Sequence, residues 1–277
     1  MSPLISAAEL AAALAAGEPL RIVDVRYRLD KPDGRDDHAA GHIPGAVYAD
    51  LDHELAAIGE PAAGRHPLAP AAVVRAAVRR WGIDDGDRVV LYDGGSSLAA
   101  SRAWWMLRET GLHVRVLDGG LPAWVAAGGE LEQGDVVPEA GSATVASIPA
   151  GISIDEAAEW PSHGVLVDVR AAERYRGETE PIDPVAGHIP GAVNLPASSF
   201  FTDAGTFRSA QEIAAAFDAV GAGADREVAL YCGSGVTAAQ AALAAEVAGR
   251  RAAVFVGSWS AWSNTAGRPV ATGADPR

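Results

Sequence analysis

The sequence contains two copies of one series of short motifs, in the same order. The motif His-Ile-Pro-Gly-Ala-Val begins at His42 and again at His188. The corresponding pairs of segments are 24–26 with 168–170, 42–47 with 188–193, 91–96 with 230–235, and 116–120 with 255–258. The offset between the copies changes only slowly along the chain. A repeat this long indicates two tandem domains and not a solenoid of short units.

Each copy has the pattern of an α/β domain, in which short apolar strands alternate with helices. Ser6 and Ser153 are predicted helix caps. The predicted strands are 21–25, 89–92, 114–117, 165–169, 228–231 and 253–256. This alternation predicts, in each domain, a parallel sheet flanked by helices on both faces. We expect the domains at 1–131 and 152–277, joined by a linker over 132–151 that is rich in Gly, Pro, Ala and Ser.

Composition limits the classes of function. The 22 basic and 36 acidic residues give a net charge of −14, which argues against nucleic acid or an anionic membrane as the main partner. The sequence shows neither a basic leader nor an uncharged apolar run of the ~18 residues that span a bilayer. A single cysteine excludes an intramolecular disulfide and a thiolate-rich metal site. We therefore expect a cytoplasmic protein with no metal and no organic cofactor.

The predicted chemistry is concentrated at Cys232. This cysteine directly follows an apolar strand, and the loop Cys-Gly-Ser-Gly-Val-Thr leads into an alanine-rich predicted helix. Gly233 and Gly235 allow a tight turn, so the backbone N–H groups of the loop, through Val236 and Thr237, can surround the sulfur. The helix N-terminus adds positive potential that favours the nucleophilic thiolate. The hydroxyls that can also donate to the sulfur are those of Ser234 and Thr237.

The alternative interpretation is a glycine-rich turn beside an inert cysteine. The duplication bears on this choice, because Asp93 occupies the position of Cys232 in the first copy. The first domain is therefore predicted to keep the scaffold and to lack the nucleophile. We expect one active site, in the second domain.

The chain resembles the tandem rhodanese-type sulfurtransferases over essentially its whole length. The resemblance rests on both His-Ile-Pro-Gly-Ala motifs, on Asp24-Val25-Arg26, on Leu117-Asp118-Gly119-Gly120 and on the Cys232 loop. That loop is most similar to the 3-mercaptopyruvate branch, since thiosulfate enzymes typically have basic residues after the cysteine. The resemblance implies that Cys232 accepts sulfur from 3-mercaptopyruvate or thiosulfate as a persulfide. The sulfur would pass to a thiol, such as thioredoxin or a small thiol, or to cyanide.

The resemblance also implies roles for basic residues. Arg174 matches the arginine that binds the carboxylate or sulfonate of the donor, a task that suits a guanidinium because it contacts two oxygens at once. Arg176 is a neighbour that could replace it. The chain departs from the mercaptopyruvate pattern at 178–184, where a second arginine is usual and none is present.

A Ser-His-Asp arrangement is the remaining implied feature. His42 matches the histidine that pairs with the loop serine, Ser234, and Asp36 is the chosen acid upstream of it. His188 has the same motif in the second copy, where we expect a structural role. His42 can have a structural role as well, because histidines in turns often bond only to backbone groups. Two further acids are alternatives to Asp36, namely Asp33 and Asp37.

The sequence bears on three other functions. A cysteine phosphatase needs an arginine six positions after the cysteine, and position 238 is alanine. A thiosulfate-specific rhodanese remains an alternative for the choice of donor. A non-catalytic sulfur-carrier or interaction module is the alternative outside the enzymes, and the complete loop at Cys232 argues against it.

Overall fold

The computed structural model describes residues 2–95 and 97–276. Ser96, which belongs to one repeated motif, lies outside the described residues. The chain forms two compact units that do not follow one another simply in sequence. The first comprises residues 2–57, 69–149 and 203–206, and the second comprises 58–68, 150–202 and 207–276. Residues 58–68 thus belong to the first half of the sequence but pack within the second unit.

The first unit is built on a five-stranded sheet. Its strands are β1 (Leu4–Ile5), β2 (Arg21–Asp24), β3 (Val47–Tyr48), β4 (Arg88–Tyr92) and β5 (His113–Leu117). They lie in the order β1-β5-β4-β2-β3, and every pairing is parallel. The helices of this unit are α1 (Ala7–Ala15), α2 (Arg35–Ala40), α3 (Ala71–Arg80), α4 (Leu98–Leu107) and α5 (Gly120–Ala126). Short π and 3₁₀ turns lie at Leu51–Leu55 in this unit and at Pro61–Ala63 in the second.

The second unit repeats this architecture on four strands. They are β6 (Val165–Asp168), β7 (Val193–Asn194), β8 (Val228–Tyr231) and β9 (Ala253–Val254), in the parallel order β7-β6-β8-β9. Its helices are α6 (Ile154–Glu159), α7 (Ala172–Tyr175), α8 (Ala210–Ala219), α9 (Val236–Val247) and α10 (Ser258–Asn264). The 3₁₀ turns Trp160–Ser162 and Ala197–Phe200 complete the unit. The predicted α/β class, with two parallel sheets flanked by helices, is confirmed.

Capping boxes fix where several helices begin. The Ser6 hydroxyl accepts the N–H of Glu9, and the Glu9 carboxylate accepts the N–H of Ser6. Ser153 and Glu156 form the same reciprocal pair at the start of α6. Both serines are the caps that the sequence predicts. In each case the Ser-x-x-Glu spacing gives hydrogen-bond partners to two N–H groups that the helix itself leaves without one.

The predicted linker is held against the first unit by hydrogen bonds. The N–H of Gly141 donates to the carbonyl of Arg79 at 2.8 Å, and that of Ala143 donates to the carbonyl of Ile83 at 3.1 Å. The Asp84 carboxylate accepts both the N–H and the hydroxyl of Ser142. Residues 132–149 therefore pack on the first unit, although their composition is that of a connecting segment.

The repeated motifs make the same contacts in both units. Asp24 binds the guanidinium of Arg26, and Asp168 binds that of Arg170, in each case just beyond the end of a central strand. Burial of these paired ions fixes the loops that follow the strands, since a buried charge needs a partner. No helix within residues 2–95 and 97–276 has the length and apolar character needed to cross a membrane.

Candidate active site

Cys232 lies where the buried strand β8 ends and α9 is about to begin. Only 2% of this residue is exposed. The N–H of Gly235 donates to the Cys232 sulfur at 3.1 Å, and the Ser258 hydroxyl lies 3.9 Å from it. Gly235 has a φ of 84°, a left-handed conformation in which glycine has no steric penalty. The loop therefore turns back on its own sulfur before the helix starts.

The first turn of α10 fastens the loop from the other side. The N–H of Cys232 donates to the Ser258 hydroxyl at 3.1 Å, and the hydroxyl lies 2.9 Å from the carbonyl of Phe255. The carbonyls of Cys232 and Gly233 accept the N–H groups of Trp259 and Ser260, each at 2.9 Å. Ser258 has a φ of 54°, a left-handed conformation that a serine adopts here only because several contacts hold it. These bonds give the repeated segment 255–258 a physical role that the sequence did not reveal.

The first unit provides an internal comparison, because Asp93 stands at the position of Cys232. One carboxylate oxygen accepts the N–H groups of Gly95 and Ser97 at 2.9 Å each. The other accepts those of Ala99 and Ala100 at 3.0 and 3.3 Å. Burial raises the pKa of Asp93, and these four backbone donors oppose that rise. The same kind of strand-to-helix loop thus holds an anionic group on a ring of amides.

Ser234 has a histidine partner, and that partner is His66. The Nδ1 atom of His66 lies 2.8 Å from the Ser234 Oγ. His66 belongs to the segment 58–68, which packs within the second unit. The resemblance implied His42 for this contact. In the structure His42 Nδ1 instead lies 2.9 Å from the carbonyl of His38, and the histidine in contact with the Ser234 hydroxyl is His66.

His42 makes contacts of a structural kind. Its Nδ1 lies 2.9 Å from the carbonyl of His38, and its buried ring stacks on that of His38 at 4.0 Å. His188 repeats this arrangement with Tyr175, whose carbonyl lies 2.8 Å from Nδ1 and whose ring stacks at 3.8 Å. The predicted acid, Asp36, lies exposed on α2. The acid within 4 Å of the His42 ring is Glu132, 3.8 Å from Nε2, and Asp24 lies 2.9 Å from Nδ1 of His38.

Three arginines of this unit form ion pairs with two buried acids, Glu180 and Asp183. The guanidinium of Arg174 donates to Glu180 at 2.6 and 3.2 Å, and Arg170 donates to the same carboxylate at 3.2 Å. Arg65 forms an ion pair with Asp183. Burial raises the pKa of Asp183. Burial also acts to raise the pKa of Glu180, but hydrogen bonds from the Arg174 guanidinium and the Asp183 N–H outweigh it and hold that pKa below its usual value.

Arg174 faces the Cys232 loop, whereas Arg176 does not. The Arg174 guanidinium lies 3.6 Å from the point where a Cβ of residue 233 would be. Arg176 instead forms an ion pair with Glu178 and lines a cavity of about 200 Å³ beside Tyr175 and Asn194. Of the remaining predicted site residues, Val236 is buried at the first position of α9 and Thr237 is half-buried beside it.

The site thus combines a buried thiol at the end of a strand, a loop N–H that donates to its sulfur, and two arginines beside the same loop. The family model for the rhodanese-like domain matches this chain twice, at residues 6–127 and 153–265. The chain belongs to the rhodanese family, and relatives named as sulfurtransferases, which match it at 35–46% identity over nearly its whole length, make it a sulfurtransferase.

Curated relatives match almost from end to end. A putative thiosulfate sulfurtransferase SseB of Mycobacterium tuberculosis is 46% identical, over 98% of this chain and 97% of its own length. A probable 3-mercaptopyruvate sulfurtransferase of Pseudomonas aeruginosa is 40% identical, over 98% of each chain. Among solved structures, the 3-mercaptopyruvate enzyme SseA of Escherichia coli matches with a TM-score of 0.82 and 29% identity, over 94% of this chain and 99% of its own.

Proposed function

We propose that this enzyme takes sulfur from 3-mercaptopyruvate, holds it as a persulfide on Cys232, and passes it to a thiol. The observation that supports this donor is the 2.8 Å contact between His66 Nδ1 and Ser234 Oγ. Ser234 follows Cys232 by two residues, and the hydroxyl and imidazole together can move a proton. Thiolate attack on 3-mercaptopyruvate requires such a movement, whereas attack on thiosulfate does not.

The proton requirement follows from the balance of the reaction. The Cys232 thiolate bonds to the sulfur of 3-mercaptopyruvate, and the carbon–sulfur bond breaks with its electron pair on carbon. The thiol proton leaves the donor sulfur, and a proton is delivered to the methylene carbon, which yields pyruvate and the persulfide anion. Ser234 and His66 together can accept the first proton and return it, so the site needs no outside acid or base.

Thiosulfate is a second donor that the site accommodates. Its sulfur–sulfur bond breaks to leave sulfite, with no proton transfer. The Arg174 guanidinium, which faces the loop, binds a sulfonate as readily as a carboxylate because both present paired oxygens. The name of the mycobacterial relative supports this donor. We therefore propose that both donors react and that Ser234 and His66 favour 3-mercaptopyruvate.

Backbone N–H groups at the start of α9 stabilise the persulfide on Cys232 in this proposal. In the first unit, Asp93 accepts N–H groups from the first turn of α4 as well as from the loop. In the second unit, α9 begins directly after Gly235, and the first N–H groups of any helix lack partners within it. We propose that the outer sulfur of the persulfide binds the N–H groups of Thr237 and Ala238, as the second Asp93 oxygen binds their counterparts.

The acceptor and the compartment follow from the chemistry of the intermediate. A persulfide anion is relieved of its outer sulfur by a thiolate, such as that of thioredoxin or a small thiol, or by cyanide. Cys232 must be reduced to begin each cycle, and we therefore place the enzyme in the cytoplasm, where thiols are kept reduced.

Mass spectrometry provides the direct test. After incubation with 3-mercaptopyruvate, the peptide that contains Cys232 is expected to gain one sulfur atom, and a dithiol is expected to remove it. Cys232→Ser should show neither the gain nor turnover while its circular dichroism spectrum is unchanged. Absence of the sulfur gain in the wild-type protein with both donors would overturn the proposal in favour of a non-catalytic interaction module.

A further inference from the structure

We propose that Arg65 is a donor-binding residue and supplies the second positive charge that the chain lacks after Arg174. This inference rests on the proposed function, because it concerns the anionic group of the same donor. Sequence motifs did not single out Arg65, which precedes His66 in the segment 58–68. The structure brings its guanidinium to the loop that follows Cys232.

The position of Arg65 is defined by its distance from Gly233. A Cβ added to Gly233 would lie 3.0 Å from Nη2 of Arg65. The same point lies 3.6 and 3.8 Å from Nη1 and Nη2 of Arg174. The two guanidinium groups therefore converge beside the residue that follows the nucleophile. Two like charges this close are stabilised when an anion lies between them.

Buried acids hold both arginines by one side. Arg65 donates through Nη1 to Asp183, and Arg174 donates through Nε and Nη2 to Glu180. The side chains of Asp183 and Glu180 are 2% and 3% exposed, whereas those of Arg65 and Arg174 are 27% and 19% exposed. Within the described residues, Nη2 of Arg65 and Nη1 of Arg174 take no part in these bonds. Those nitrogens are the ones that can bind the anionic group of the sulfur donor.

The position of the segment is fixed by a close backbone approach. Gly64 has a φ of 88°, and a Cβ there would lie 2.7 Å from the carbonyl oxygen of Gly257, just before α10. Only glycine fits this approach. The next two residues are Arg65 and His66, so one fixed turn delivers an anion-binding group and a proton-transfer group to the same loop.

The ligand class follows from the two cations. A guanidinium pair binds a carboxylate or sulfonate through paired oxygens and gains little from a neutral thiol. Gly233 leaves room for this arrangement, because a Cβ there would come within contact distance of the Arg65 guanidinium. Arg65 thus brings a positive charge to the Cys232 loop from another segment.

The rate of alkylation of Cys232 tests the effect of the positive charge of Arg65 and does not depend on enzyme turnover. Cys232 is the single cysteine, so labelling reports this site alone. Iodoacetate is anionic and iodoacetamide is neutral. Arg65→Gln should lower the rate with iodoacetate about tenfold and leave the rate with iodoacetamide nearly unchanged. Arg208→Gln is the matched control, because Arg208 forms an exposed pair with Glu212. An unchanged iodoacetate rate in Arg65→Gln overturns the inference.

Steady-state kinetics with 3-mercaptopyruvate complete the test. Arg65→Gln should raise KM about tenfold with a much smaller change in kcat, as loss of a contact made in both ground and transition states does. If Arg65→Gln does not fold, Arg65→Lys decides the matter. A KM raised several-fold at unchanged Tm supports the two-oxygen contact, and a wild-type KM overturns it. The sulfur gain on wild-type Cys232 reports the proposed function separately, so the two failures are distinguishable.

Discussion

The imidazole Nδ1 of His66 lies 2.8 Å from the hydroxyl oxygen of Ser234, although 168 positions separate the two residues in sequence. Ser234 is fixed by its place in the Cys232 loop, and His66 by a turn that packs on α10. The pair is half-buried, where a hydrogen bond is stronger than in water. The contact therefore places the proposed proton-transfer pair beside Cys232, the proposed nucleophile, which Ser234 follows by two residues.

The first prediction separates the two donors by their need for a proton. Ser234→Ala or His66→Gln should lower kcat with 3-mercaptopyruvate by about 10² or more, which is the usual contribution of a positioned acid or base. The same variants should change kcat with thiosulfate by much less, because sulfite leaves without proton transfer. Parallel assays with each donor and cyanide as the acceptor measure this difference.

A double-variant cycle provides the control for this prediction. If the two side chains act as one unit, Ser234→Ala combined with His66→Gln should cost little more than either change alone. Equal losses with both donors would contradict a proton-transfer role and would point to a disturbed loop.

The sequence predicted the strand, loop and helix around Cys232 because their signals are local. A strand, a glycine-rich turn and an alanine-rich helix are adjacent in sequence, and the predicted helix caps Ser6 and Ser153 lie within three residues of their partners. The internal repeat predicted two domains for the same reason, since each motif recurs as a short continuous segment.

His66 and Arg65 could not be found in this way. They reach the loop from a segment of the first half that packs with the second unit. No periodicity marks that crossing, and the segment has no counterpart in the repeat. The sequence favours His42 instead because it lies in a conspicuous repeated motif, and the contacts observed for its ring are with the carbonyl and the ring of His38. A single signal was available, namely the Gly-Arg-His sequence at 64–66 within an otherwise apolar stretch.

The second prediction concerns that motif histidine. His42→Ala should lower the midpoint of urea unfolding, at a cost of about 2 kcal/mol, because the ring is buried, stacked and hydrogen-bonded to the carbonyl of His38. His188→Ala should have a similar effect. Activity per folded molecule should fall equally with both donors, or not at all. A loss confined to 3-mercaptopyruvate, with normal stability, would restore His42 to the catalytic role first predicted for it.

The third prediction uses Asp93 as the first unit's equivalent of the nucleophile. Asp93→Asn should lower the unfolding midpoint by an amount equivalent to about 1–3 kcal/mol, because a carboxamide accepts through one oxygen and presents N–H to backbone donors. Sulfur loading of Cys232, measured by mass spectrometry, should be unchanged in the folded variant. Unchanged stability would show that the amide ring of the first unit does not require an anion.

The last prediction follows from the acid that positions Arg174. Hydrogen bonds from Arg174 and from the N–H of Asp183 outweigh the effect of burial and hold the pKa of Glu180 below its usual 4.5. The folded protein therefore binds fewer protons at this group than the unfolded chain does. The contribution of Glu180 to stability is complete above pH 4.5 and is lost as the pH falls through the lower, folded-state pKa.

Glu180→Gln should accordingly be less stable at pH 7, by roughly 3 kcal/mol, because it leaves Arg170 and Arg174 without their shared anion. Its unfolding midpoint should also fall less steeply than that of the wild type between pH 5 and pH 3. Glu227→Gln is the control, since that side chain is 74% exposed. Because Arg174 would lose its anchor, KM for 3-mercaptopyruvate should rise. If the unfolding midpoint of Glu180→Gln fell between pH 5 and pH 3 as steeply as that of the wild type, other carboxylates would govern acid unfolding. The role of Glu180 would then be limited to holding Arg174 in position.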